Sequence, residues 1–135
     1  MASILKVDEM QGVTSAGDIT ITSEGGSATM QLQQGLAKAW INMFGDDAST
    51  RDTLNVASTS DDAVGKKTVN LTSSFSSADF ATTTSVGETI SSAGNRASTS
   101  SPTDSNTYLF YTSSSNTGSY NDNDYMTASS FGDLA

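Results

Sequence analysis

The chain contains no cysteine and no histidine. The first absence removes disulfide frameworks, zinc–thiolate centres and thiol nucleophiles. The second removes the usual general base, the commonest metal ligand and the Ser-His-Asp triad. Basic side chains are scarce as well: six lysines and arginines face fifteen aspartates and glutamates, the formal net charge is -9, and Arg96 is the only cation after Lys67. No basic stripe can form for phosphates, which argues against nucleic acid as a partner and against charge-driven binding to anionic lipid. Nowhere do the roughly 18 consecutive apolar residues of a membrane-spanning helix occur. The opening MASILKVDEM has too short an apolar stretch for a secretion signal, so folding in a cytosol without membrane insertion is expected.

Core-forming residues are also few. Leu, Ile, Val and Phe supply 23 of the 135 residues, which together with the acidic excess borders on the composition of disordered chains. A single proline, a charged fraction of 16% and short alternating apolar runs between turn residues argue instead for a folded domain. A protomer so poor in apolar surface gains by sharing a core with other copies, so a homo-oligomer is expected. Serine and threonine number 43, nearly a third of the chain. Threonine suits strands and serine suits turns, so the expected class is all-β.

Organisation follows the alternation. Residues 1–34 carry three short β-like runs, at 4–7, 18–22 and 28–33, separated by glycine turns. Three small strands cannot enclose a core, so this segment is expected to attach or oligomerise through Ile4, Leu5, Val7, Ile19, Ile21, Met30 and Leu32. Residues 35–135 are expected to form a small antiparallel β-sandwich head. In GLAKAWINMF the apolar residues fit a helix face or a strand; Gly35 and the β-like sequence downstream favour the strand. RDTLNVAST, from Arg51 to Thr59, and TVNLTSSF, from Thr68 to Phe75, are expected to pair as a hairpin across a long acidic loop, SDDAVGKK, with Leu54 and Val56 opposite Val69 and Leu71. ATTTSVG, TYLFYTSS and YMTASSF read as further strands, and residues 91–106 as a loop.

No catalytic constellation emerges. There is no G-x-S-x-G elbow, and DDAVGKKT fails as a P-loop because Ser60 replaces its first glycine and Lys67 its magnesium-binding hydroxyl. The pairs Asp46-Asp47 and Asp61-Asp62 read as solvated turn charges. Asn121-Asp122-Asn123-Asp124 offers oxygen ligands of the kind calcium takes, but lacks the glycine and distal glutamate of an EF-hand loop and reads as an Asx-rich turn. Neither metal nor cofactor is expected. Among the aromatics, Tyr108 and Phe110 alternate with Leu109 and Tyr111, so most of these rings belong to the core.

With the strands laid out, GLAKAWINMFGDDASTRDTLNVASTSDD, then KTVNLTSSFSSADFATTTS and the closing ASSFGDLA, resemble a module of surface and fibre proteins of tailed bacteriophages of marine bacteria; SILKVDEMQ resembles their N-termini. The A-K-A-W segment and the T-V-N-L strand carry most of the likeness. The resemblance implies a non-enzymatic virion structural protein, assembled in the host cytoplasm and displayed on the virion surface as a capsid decoration or knob. Its partners would be further copies, with a trimer as the expected symmetry, and the major capsid protein or tail proteins. The alternative it implies is a tail-fibre tip that touches a host-surface glycan or protein through the loops holding Asn95, Arg96, Asn116, Asn121, Asp122, Asn123 and Asp124. Trp40 is read as a packing anchor, either in the sandwich core or at a seam between subunits; in the core its loss to alanine would cost roughly 3–5 kcal/mol.

Overall fold

The computed structural model describes residues 5–13, 19–22, 25–32, 35–87, 96–114 and 118–135. Two compact units divide the chain, Met1–Leu36 and Ala37–Ala135. The first holds β1 (Thr20–Thr22) and β2 (Thr29–Gln31), an antiparallel pair in which Ile21 lies opposite Met30. Its ladder is extended by a bond from Leu32 N to Ile19 O at 2.7 Å. Ile21 is 41% and Met30 56% exposed, and no described residue of this unit is buried. Leu5 and Val7 are exposed and lie outside any strand, because no described neighbour offers the run a hydrogen-bonding partner. Ile4 lies outside the described residues.

The second unit is all-β. Its strands are β3 (Ala39–Met43), β4 (Thr50–Leu54), β5 (Val56–Ala63), β6 (Lys66–Leu71), β7 (Ala81–Gly87), β8 (Arg96–Pro102), β9 (Thr107–Ser114) and β10 (Tyr125–Phe131). They form two four-stranded antiparallel sheets, ordered β4-β3-β10-β7 and β5-β6-β9-β8, packed together as a β-sandwich. Period-two burial is clearest on the central strands. Ala39, Ile41 and Met43 of β3 with Met126 and Ala128 of β10 face Val69 and Leu71 of β6 and Tyr108 and Phe110 of β9. Phe75 and Phe80, on the connection from β6 to β7, stack at 4.2 Å and close one end of this core, with Tyr108 edge-on to Phe80 at 6.2 Å. Burial pushes the Tyr108 phenol above its usual pKa, against the opposing influence of the Ser130 hydroxyl.

Strand β3 is the strand reading of GLAKAWINMF, with a consequence for its tryptophan. Ile41 pairs with Ala128 and Met43 with Met126 on the core side; Trp40, one residue out of phase, faces away from the core beside Leu54 and Ser129. The core placement of Trp40 is therefore corrected: the ring is half-buried on the outer face of its sheet.

Three further expectations are revised. β5 runs on to Ala63, so the acidic stretch at 60–62 is strand, and the turn has only Val64 and Gly65, with Gly65 at φ +65° as a tight hairpin demands. Val56 does lie opposite Leu71, but Leu54 belongs to the other sheet. The chain changes sheets at the single residue Asn55, whose φ of 58° suits asparagine. Its side chain fixes the corner by donating to Ser73 O at 3.0 Å and accepting from Ser73 N at 2.7 Å. Finally, within the expected loop 91–106 the described residues begin at 96, and 96–102 are β8, a hydroxyl-rich edge strand paired with β9, leaving 103–106 as the described turn.

Candidate functional site

One end of the sandwich gathers the turn at 44–49, the hairpin turn Val64-Gly65 and the segment 121–124. The alternation that buries Val69 and Leu71 also points Lys67 inward, and its side chain is fully buried. A buried ammonium is costly unless paired. Asp61 lies directly opposite on β5, and Lys67 Nζ donates to its Oδ1 and, at 2.9 Å, to Asp122 Oδ1. Burial pulls the lysine pKa down, but hydrogen bonds and charge from the two aspartates outweigh it and hold it above its ordinary value. Asp122 also accepts from Gly65 N at 2.7 Å.

The rest of the segment is tied down as firmly. Asn121 N donates to Thr112 O at 3.3 Å, Thr112 Oγ1 donates to Asn121 O, and Asn123 is buried with its Nδ2 donating to Asn121 O at 3.3 Å. The backbone of Asn123 lies where a Cβ on Gly45 would project. Asn121, Asp122 and Asn123 are thus held by hydrogen bonds and an ion pair rather than forming an open solvated loop. They form a clasp over the hairpin turn, because the buried lysine needs the Asp122 carboxylate, and only Asp124 of the four is exposed. Arg96 begins β8 opposite Ser114 and is half-buried, so it lies on an edge strand rather than in the expected loop. Asn95 and Asn116 lie outside the described residues. Among the described residues no cluster of three acidic, histidine or cysteine side chains is placed to hold a metal ion.

Two aromatic surfaces face outward. On the first sheet, Trp40 and the 47% exposed Leu54 lie side by side, and Arg51 sits 5.2 Å from the Phe44 ring and 4.9 Å from the Tyr125 ring. On the second, Tyr111 and Tyr120 lie 6.0 Å apart at a tilt of 31°. Sequence alternation separates Tyr111 from the core residues Tyr108 and Phe110, but nothing in the sequence brings it to Tyr120; that meeting depends on the bridge between Ser113 and Tyr120.

The outer position of Trp40 changes its expected energetics. Trp40→Ala is expected to cost about 1 kcal/mol in thermal or denaturant unfolding, well below the range for a core tryptophan. A loss above about 3 kcal/mol in the isolated chain would contradict the outward placement.

The class these observations define is an antiparallel all-β sandwich preceded by a small two-stranded unit. Compared with protein-family models, with curated proteins and with solved structures, the chain matches none of them.

Proposed function

We propose that the protein is a non-enzymatic structural component of a bacteriophage virion, displayed on the capsid as a decoration or knob, with Met1–Leu36 as its attachment and assembly segment. One observation carries the reading. Among its described residues the first unit leaves Leu5, Val7, Met10, Val13, Ile21 and Met30 exposed, with the cross-strand pair Ile21 and Met30 beside a concavity of about 340 Å³ that Ala28 and Thr29 also line. Two strands are too few for independent stability, so this unit is built to be completed by another surface. The second unit, by contrast, encloses its own core.

The occupant of the apolar face is the corresponding face of further copies, as the core-poor composition also suggests. Light scattering on the full chain tests it. The wild type is expected to assemble, and Ile21→Asp with Met30→Asp is expected to release a 14.0 kDa monomer whose sandwich melts at an unchanged temperature. A wild type that stays monomeric at micromolar concentration, or a variant that assembles as before, would overturn this account. The acidic sandwich, left facing solvent, supplies net negative charge that keeps displayed copies soluble.

A further inference from the structure

The outward tyrosines occupy a place fixed by strand register. Thr99 pairs with Tyr111, Ala97 with Ser113, and Ser113 bridges to Tyr120, so five side chains from three neighbouring segments share one face. With Ser98 they line a groove of about 370 Å³, within the range of small-ligand sites. Among the described residues, no charged side chain lines it. Lys66 lies across from Tyr111 on β6, where it also meets the field of Asp62, so the flank carries both signs. Tyr120 is 61% exposed, a large ring held out in water on the outer face.

This lining selects by chemistry. An anionic ligand would approach a chain of net charge -9 and find no cation in the described lining of the groove. A wholly apolar ligand would strip water from the hydroxyls of Thr99 and Ser113 without replacing those hydrogen bonds. A sugar ring suits both halves of the lining: its C–H face packs on an aromatic ring, and its hydroxyl rim pairs with serine and threonine. We propose that the groove between Tyr111 and Tyr120 binds a neutral oligosaccharide, the two rings stacking on sugar units and Thr99 and Ser113 fixing their hydroxyls. This goes beyond the structural role proposed above, and the two are separable, since the groove lies in the sandwich and assembly depends on the first unit.

Saturation-transfer NMR on the full chain, with maltohexaose, laminarihexaose and N-acetylchitohexaose as probes, tests the assignment. At least one probe is expected to receive saturation at its ring C–H protons. Tyr120→Ala is expected to raise the Kd about fivefold or more, as the loss of one stacking ring implies. Thr99→Glu, an exposed position that tolerates the change, should abolish binding by placing a carboxylate in the groove, whereas Trp40→Ala on the other sheet should leave it unchanged. Transfer to none of the three probes, or transfer that survives both Tyr120→Ala and Thr99→Glu, would overturn the proposal. Light scattering on the same samples reports separately on assembly: monomers that still bind the probe would strike at the structural role and leave the groove standing.

Discussion

Replacing Lys67 by methionine is expected to lower the unfolding free energy by about 3 kcal/mol, measured by urea titration at neutral pH. The stem of the side chain is matched in volume, so the loss comes from charge. Asp61 and Asp122 would face each other without the ammonium that now lies between them, and Asp122 would hold the 121–124 clasp less tightly. The figure sits at the lower end for a broken buried pair because the two carboxylates still reach solvent, at 39% and 30% side-chain exposure. Adding Asp61→Asn and Asp122→Asn to Lys67→Met should recover much of the loss, since a neutral trio leaves no charge unpaired.

The pH dependence of the same variant gives a second handle. The folded-state pKa of Lys67 is raised, so its contribution is fully present below the unfolded lysine value and is lost as pH rises through the folded one, above about 10.5. Methionine should remove that alkaline loss. On the acid side, Asp62 and Asp47 are held below the usual carboxylate range, Asp62 by the Thr68 hydroxyl against an opposing desolvation, Asp47 by side-chain and backbone hydrogen bonds from Ser49. Their contributions are present above the unfolded value and lost as pH falls below about 4. An alkaline loss as large in the methionine variant as in the wild type would contradict the ion-pair account.

The second large effect concerns Gly45. Its place at the head of the 44–49 turn brings its Cα against the backbone of Asn123, with the Asn123 carbonyl oxygen, carbon and nitrogen all inside the space a Cβ needs. Backbone cannot rotate away as a side chain can, so Gly45→Ala must displace the clasp or the turn. The expected cost is about 3–5 kcal/mol. Hydrogen exchange should locate it, with protection lost first at Asn121 N and Gly65 N, the amides that the clasp engages. Gly118→Ala offers a contrast, because open space surrounds that position and only its φ of 67° resists substitution, at roughly 1–2 kcal/mol. Equal losses at the two glycines would mean that the close approach at Gly45 is not sustained in solution.

What the sequence revealed, and what it hid, follows one physical rule. Strands whose alternation is written in apolar residues were legible: the β6 run KKTVNL and the β9 run TYLFYTSS show their inner faces directly. β8, with the sequence RASTSSP, was not, because hydroxyl side chains fill both faces and its place comes from pairing with β9; its proline is tolerated at the end of an edge strand. The acidic run at 60–62 failed for a related reason. Aspartates favour turns in isolation, and here tertiary partners override that tendency, Lys67 for Asp61 and Thr68 for Asp62. The clasp residues looked like a solvated turn since nothing local to them announces a buried lysine 55 positions away. The signal that was available lay in β6, where Lys67 shares the phase of Val69 and Leu71. Trp40 was ambiguous because both faces of its strand are apolar, and the phase was set by Met126 and Ala128 on the neighbouring strand.

The central claim, that this sandwich is displayed on a capsid and attached through its N-terminal unit, is tested most directly by immunogold electron microscopy of intact particles with antibody raised against the full chain. The account predicts gold spread over the capsid surface. Gold confined to the tail, or on neither head nor tail, would contradict it.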